Sequence, residues 1–326
     1  MITGPCLIVQ PIHAAGLDRL RAAGLEPRAA RGTDAETLAC DVAGCVAVIT
    51  RNTGFPADAI EAAAALQVIG VHGTGTDHVA KAAATEAGIV VVNTPGANAV
   101  SVAEHTLALI FALAKALPGA DRSVRQGDDS FKFTTRLVEL AGLTLGLVGF
   151  GAIGQATARL GGALGLRVLA YGPSRPETDF ATAGALRATS VEAVLAEADI
   201  VSLHLPLTPG TRGLIGREQL ARMKRGAFLI NTSRGGLIDE ADLMEALEAG
   251  TIAGAGLDVF AQEPLPRNHP LAHQERVILT PHVGGSTEAA LIRTAETAAT
   301  RVIDVLAGRH PGGLVNPEIW DQRRGV

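Results

Sequence analysis

At 326 residues the chain is long enough for two domains, each with a core of its own. Hydrophobic residues make up 47% of it but aromatics only 3%, so those cores must be built from Ala, Val, Leu and Ile. A formal net charge of -5 with no basic run argues against nucleic acid as the main partner, and no stretch approaches the roughly 20 uninterrupted apolar residues of a membrane span.

From the N-terminus, residues 1–10 lack a basic region and a long apolar run, and read as a first strand rather than a signal peptide. Short, β-branched runs bounded by Gly, Pro or polar residues then predict strands at Cys6–Val9, Val46–Thr50, Gln67–Val71, Ile89–Asn93, Thr144–Val148, Arg167–Tyr171, Asp199–Leu203, Ala227–Asn231, Ala253–Leu257 and Val277–Leu279. Ala-rich amphipathic segments lie between nearly all of them. Such alternation predicts an α/β chain of doubly wound parallel sheets with helices on both faces. Cys6, Cys40 and Cys45 show neither metal-ligand nor disulfide spacing, which fits a reduced, cytoplasmic setting.

Two long helices punctuate the series. Ser101-Val102-Ala103-Glu104 reads as a capping box opening a helix that runs to about Lys115. The second is expected from about Ser286 to Leu306, stopping at Gly308. The nucleotide-binding signals lie between them, so residues 100–287 are expected to form one domain inserted into another made of 1–99 and 288–326. The alternative, two consecutive domains split near residue 120, leaves the C-terminal tail without a home. Residues 117–140 are polar and weakly patterned, as in a surface loop with some helix.

Gly149-Phe150-Gly151-Ala152-Ile153-Gly154 follows an apolar strand and opens an Ala-rich helix, the context in which a glycine fingerprint binds a dinucleotide. Gly149 allows the tight turn, Gly151 lets the backbone approach a pyrophosphate, and Gly154 lets the helix sit against the strand. The bland reading is an ordinary strand–helix turn that binds nothing. After the next strand, where an acidic residue normally meets the adenosine ribose, the chain reads Gly172-Pro173-Ser174-Arg175. Ser174 and Arg175 are placed to hold a 2′-phosphate, which favours NADP over NAD; if Arg175 only points into water, the chain takes either cofactor.

Three motifs end predicted strands downstream: Asn231-Thr232-Ser233-Arg234, Asp258-Val259-Phe260-Ala261-Gln262-Glu263 and Thr280-Pro281-His282-Val283-Gly284. Singly, Arg234 reads as a surface charge, Glu263 as a turn residue and His282 as a structural histidine. Jointly, on strand ends behind a dinucleotide fingerprint, they read as a site.

With Gly73-Thr74-Gly75-Thr76-Asp77, Asn93-Thr94-Pro95-Gly96, Ser101–His105 and Leu203–Leu207, these motifs resemble the D-isomer-specific 2-hydroxyacid dehydrogenase family over nearly the whole chain. Within it, the chain is most similar to glyoxylate/hydroxypyruvate reductases and to short phosphoglycerate dehydrogenases. The resemblance implies a Rossmann cofactor domain inserted into a flavodoxin-like substrate domain, a homodimer, and oxidoreduction between a nicotinamide cofactor and a small 2-oxo or D-2-hydroxy acid. It implies His282 as general acid/base, Glu263 as the group that orients the imidazole and favours its charged form, and Arg234 as the clamp on the substrate carboxylate. It also implies Thr74 and Gly75 as backbone donors to that carboxylate. Val102, Thr232, Asp258 and Gly284 would surround the nicotinamide together with His282; His204, Pro206 and Thr211 would lie near the adenosine half, with Ala152 and Ile153 on the pyrophosphate.

The chain departs from the family's pattern in three places: the acidic residue after the second cofactor-domain strand is missing, a tryptophan near Phe131 is absent, and His78 stands where Asn is common. The rival readings are a formate-dehydrogenase-like enzyme, which would carry Gln in the Glu263 role, and a non-catalytic dinucleotide-sensing protein. No metal is implied by either. Arg51 is left open between a contact to a substrate phosphate or second carboxylate and a structural or solvent role.

Overall fold

Strand formation follows the apolar runs. In a computed structural model describing residues 2–325, they become two separate parallel sheets. The first contains β1 (Gly4–Ile8), β2 (Leu25–Ala29), β3 (Ala47–Thr50), β4 (Val68–Val71) and β5 (Val90–Val92) in the order β2-β1-β3-β4-β5. The second contains β6 (Thr144–Val148), β7 (Arg167–Tyr171), β8 (Leu186–Arg187), β9 (Ile200–Leu203), β10 (Phe228–Asn231), β11 (Gly254–Leu257) and β12 (Val277–Leu279), in the order β12-β11-β10-β9-β6-β7-β8. These are a flavodoxin-like and a Rossmann-type winding, each with a switch point where the order reverses: β1/β3 in the first and β6/β9 in the second.

The chain divides into two compact units. One runs to Asn98 and resumes at Ser286; the other is Ala99–Gly285. In the first, β3, β4 and β5 are buried along their whole length, with Val48, Ile69 and Val91 facing one side and Ile49, Val68 and Val90 the other. Burial on both faces is why these runs are continuously apolar rather than alternating. The helix Glu288–Leu306 packs on this sheet through Ala298, Ala299 and Val302, small residues that allow close approach. In the second unit the helix Ala99–Ala114 lies over β10 and β11 and against the helix Ala152–Ala163.

Two strands were not expected from the sequence, β2 and β8, and both lie at sheet edges. β2 carries Pro27 and an exposed outer face, which an edge tolerates because no neighbour needs the missing N–H. β8 has only two residues, too few for any periodicity to register. The capping box expected at Ser101 does not form. The helix starts at Ala99, so Ser101 lies inside it, and its hydroxyl donates to the Gly284 carbonyl instead (2.6 Å). The second long helix is capped by Thr287, whose hydroxyl accepts from the Ala290 N–H (3.4 Å). In the 117–140 stretch, helices form at Leu117–Gln126 and Phe131–Thr134. Among the described residues no single helix is long and apolar enough to cross a membrane.

Two strand ends bury a histidine. His72 follows β4 and His204 follows β9, and burial pushes each ring down to about 4, with the charge of Arg51 adding to the effect at His72. Both are therefore neutral in the folded chain at neutral pH. An unfolded histidine takes up its proton near 6.5, so below that value the unfolded chain binds more protons than the folded one. Stability rises with pH across this window and is lost as pH falls from the ordinary value toward the folded one. A urea midpoint that drops between pH about 7 and about 5 is the expected outcome; a flat profile over that range contradicts neutral burial of these rings.

Candidate active site

β6 ends at Val148 and the next helix begins at Ala152, leaving three residues to turn the chain. Gly149 makes that turn at φ +102°, where a Cβ would stand 2.3 Å from the His204 carbonyl oxygen at the end of β9. Gly154 is closed off similarly, by the Gly149 carbonyl oxygen at 2.4 Å. A Cβ on Gly151, by contrast, would meet nothing within 4 Å, so this backbone faces open space. The first-turn N–H groups of Ala152, Ile153 and Gly154 have no acceptor within the helix, and the helix dipole is positive there. At the β6/β9 switch point, this cradle fits the pyrophosphate of a dinucleotide.

Around the expected adenosine side, the His204 ring is buried, with Nε2 3.0 Å from Ser202 Oγ and Nδ1 without a protein partner. Pro206 and Thr211 belong to one turn: the Thr211 hydroxyl donates to the Pro206 carbonyl (2.8 Å) and accepts from the Thr208 N–H (2.8 Å). Ser174 and Arg175 are exposed in the loop after β7. Arg175 lies 3.8 Å from Asp179, which also accepts from Gln155 (3.2 Å). In the first turn of the helix Glu177–Ala183, a carboxylate therefore stands beside the loop. Beside it is a cavity of about 350 Å³ lined by Tyr171, Pro173, Arg187, Ala188 and Thr189. Arg187 was not singled out from the sequence. It stands on β8 in register with Ala170, donates weakly to Pro173 O and Glu177 (3.4 Å each), and lies over the Phe180 ring. A basic residue on the strand beside β7 is the signal that points to it.

Four residues expected near the nicotinamide come together at the start of the helix Ala99–Ala114. Thr106 donates to the Val102 carbonyl (2.9 Å), so in its 2.9 Å bond to Thr232 the Thr232 hydroxyl is the donor. The Asp258 carboxylate receives Gly284 N–H (2.8 Å) and Val283 N–H (2.9 Å), and Ser101 closes the ring through Gly284 O. Asp258 is almost fully buried. Burial raises its pKa, but the nearby His105 ring and the bonds from Thr280, Val283 and Gly284 outweigh it and hold the group below its ordinary range.

Arg234, Glu263 and His282 also converge. Asn231, at the end of β10, folds the chain back by accepting from Ser233 N–H (3.0 Å) and donating to the Arg234 carbonyl (2.8 Å). Gly235 follows, where a Cβ would fall 1.9 Å from the Phe260 carbonyl carbon; only glycine lets the Arg234 loop pass the Glu263 loop so closely. Glu263 accepts from Phe260 N–H (3.1 Å) through one oxygen and stands 2.7 Å from His282 Nδ1 through the other. Burial raises the Glu263 pKa, yet the His282 hydrogen bond and charge, the Phe260 N–H and the Arg234 charge together bring it below the usual range. Glu263 is thus an anion at neutral pH, and His282 carries its proton on Nδ1. Nε2 is left free of Glu263. His282 itself adopts φ +53°, a left-handed conformation costing about 1–2 kcal/mol for a non-glycine residue. Its N–H is held by the Asp258 carbonyl (2.8 Å).

Thr74 and Gly75 belong to the first unit, in the loop after β4, where Asn93 donates to the Thr74 carbonyl (2.7 Å). His72 and Arg51 end neighbouring strands of the same sheet, and Arg51 donates to the Pro11 carbonyl (2.9 Å).

Comparison with known proteins places the chain. Residues 107–284 match the family described as "D-isomer specific 2-hydroxyacid dehydrogenase, NAD binding domain". The D-3-phosphoglycerate dehydrogenase of Methanocaldococcus jannaschii is 40% identical over 322 residues, which are 98% of this chain and 61% of that protein. The chain thus spans about three-fifths of the length of that relative. The glyoxylate reductase of Thermofilum pendens is 42% identical over 270 residues, 82% of this chain and 80% of that one. Among solved structures, the NADPH-dependent glyoxylate/hydroxypyruvate reductase of Sinorhizobium meliloti, in complex with NADP and malonate, superposes with a TM-score of 0.87 at 27% identity, covering 100% of both chains. A glycine-turn cradle at the switch point, an arginine–glutamate–histidine group on neighbouring strand ends and these likenesses agree: the chain belongs to the D-isomer-specific 2-hydroxyacid dehydrogenase family.

Proposed function

We propose that the chain reduces a small 2-oxo acid of the glyoxylate or hydroxypyruvate type to its D-2-hydroxy acid, or runs the reverse reaction. The observation that carries this reading is the 2.7 Å pair between an anionic Glu263 and His282 Nδ1, beside Arg234. A bound nicotinamide dinucleotide supplies or accepts the hydride. In reduction the His282 imidazolium, protonated on both nitrogens, gives its Nε2 proton to the substrate's carbonyl oxygen and becomes neutral; in oxidation the neutral ring takes that proton back. Glu263 fixes the tautomer and stabilises the imidazolium that forms. The Arg234 guanidinium holds the substrate carboxylate through its planar donor fork, which orients the carbonyl carbon. A carboxylate rather than an amide on Nδ1 favours an alcohol–ketone couple, which needs a proton moved, over formate oxidation, which does not.

Val102, Thr232, Asp258 and Gly284 are the residues that would receive the nicotinamide, and the Gly149–Gly154 turn the pyrophosphate. For the adenosine ribose we favour a 2′-phosphate, hence NADP, held by Ser174, Arg175 and Arg187. The nearby Asp179 and Glu177 offset part of that positive charge, so the preference is modest rather than absolute. Leu117, Val124, Phe133 and Leu137 are exposed large apolar side chains within one short segment of the second unit; they suit the homodimer implied by the resemblance. A cytoplasmic location is the reading we favour for a chain whose three cysteines are free thiols.

Following NADPH or NADH absorbance with glyoxylate, hydroxypyruvate and pyruvate tests the reading directly. His282→Ala is expected to lower kcat by roughly 10²–10⁴-fold; near-normal turnover would remove His282 from the role. Arg175→Ala and Arg187→Ala are expected to weaken NADPH more than NADH in a fluorescence titration. Equal losses for both dinucleotides would refute the 2′-phosphate assignment.

A further inference from the structure

The loop that carries His282 is fastened by a chain of hydrogen bonds whose direction can be read proton by proton. Thr280 has one hydroxyl proton, and its shortest contact is the 2.6 Å bond to Asp258 Oδ1. With that proton committed, Thr280 can only accept in its 2.9 Å bond with His105 Nε2. His105 therefore carries its proton on Nε2 and donates it, with Asp258 Oδ1 also 3.4 Å from the same nitrogen. Asp258 then collects the Val283 and Gly284 N–H groups on its two oxygens. The relay runs His105 → Thr280 → Asp258, and Asp258 grips the two residues immediately after His282.

Its anchors lie in or beside regular elements. His105 sits within the helix Ala99–Ala114, and Asp258 directly follows β11. Between them lies a segment that places His282 in a left-handed conformation which few non-glycine residues adopt unassisted. Of the four or so lone-pair sites of the Asp258 carboxylate, the Thr280, Val283 and Gly284 donors use three. One on Oδ2 remains for a ligand's amide, so the relay does not compete with cofactor binding. The sequence alone gives Thr280 no such role, because a threonine before a proline at a strand end has many ordinary explanations.

We propose that Thr280 and His105 are positioning residues: their donated hydrogen bonds orient the Asp258 carboxylate, which sets the 282–284 loop and thereby the imidazole of His282. Neither residue touches the reacting atoms. The inference rests on the reading of His282 as the proton donor, and it adds the two residues that keep that donor in place.

Thr280→Val keeps the shape of the side chain and removes the hydroxyl, whereas Thr280→Ser keeps the hydroxyl. Two readouts are taken on the full-length protein: kcat and KM for glyoxylate reduction with NADPH, and amide hydrogen exchange at Val283 and Gly284. Losing a hydrogen bond to a buried charged group is expected to lower kcat about tenfold or more in Thr280→Val and to speed exchange at both amides by a similar factor. KM for the 2-oxo acid should change by less than about threefold, because a positioning residue does not bind substrate. Thr280→Ser should restore both quantities to near wild type. His105→Leu leaves the Thr280–Asp258 bond in place and should show the same signs at smaller size; it also serves if Thr280→Val does not fold. Wild-type values in Thr280→Val, or a Ser variant as impaired as the Val variant, overturns the proposal. If the wild-type protein itself reduces no 2-oxo acid, the proposed function falls, and the exchange comparison alone still decides whether the tether exists.

Discussion

A carboxylate sealed from water just after β11 organises the strand-end loops of the second unit. Burying an isolated anion costs several kcal/mol, and Asp258 is left with 1% of its surface exposed. The fold meets that cost with donors from three directions: a threonine hydroxyl, two successive backbone N–H groups, and a histidine within reach. Each bond to a charged acceptor contributes about 1.5–3 kcal/mol, so together they outweigh the desolvation. The donors are not free to sit elsewhere. Satisfying Asp258 forces the 280–284 segment into one path, and His282 lies on that path. Its imidazole then meets Glu263, itself anchored by the Phe260 N–H.

The parallel sheet supplies the frame for this. When every strand runs the same way, the loops at the carboxyl ends gather on one edge, and side chains distant in sequence become neighbours. Gly149, Asn231, Asp258 and Thr280 all follow directly on, or end, strands of one sheet. Close approach then depends on small residues. Gly235 passes the Phe260 carbonyl where any Cβ would collide, and Gly146 lies beneath Val194 and Ala198 with a notional Cβ only 2.6 Å from each. The scarcity of aromatics in the chain fits the same demand: helices sit close to sheets when the layer between them is built from Gly, Ala and Val.

Central strands were legible because they are buried on both faces, and double burial leaves an unbroken apolar run as its mark. The edge strands β5 and β12 still carry short apolar runs, whereas β2 has a proline and an exposed face and β8 only two residues, so those two leave no such mark. Missing β8 also hid Arg187, whose relevance comes only from its pairing beside β7. Ser101 shows a different limit. Ser-x-x-Glu is a genuine cap signature, but the apolar face already begins at Ala99, and a serine two residues inside a helix is free to bond elsewhere. Arg234, Glu263 and His282 were found by their place after strands and by resemblance. The hydrogen-bond directions that relate them to Asp258 and Thr280 required coordinates, since no spacing rule specifies which proton goes where.

Three of the five histidines of the second unit fall in the family motifs. His105 lies within a helix while His204 and His282 follow strands, and the residue type alone predicts the same chemistry for each. Their surroundings separate them. His204 is buried against a serine, with no carboxylate to support a positive ring, and burial keeps it neutral to about pH 4. His105 spends its Nε2 proton on Thr280, so that nitrogen has none to give a substrate. Of these three, His282 combines partial exposure with an anionic partner on Nδ1, which leaves Nε2 to exchange a proton and a carboxylate to stabilise the charge that results. A general acid needs both conditions at once. Burial removes the first and a missing partner removes the second, so among these three histidines it is the position of one glutamate, more than residue type, that favours His282 as the proton carrier of the proposed reaction.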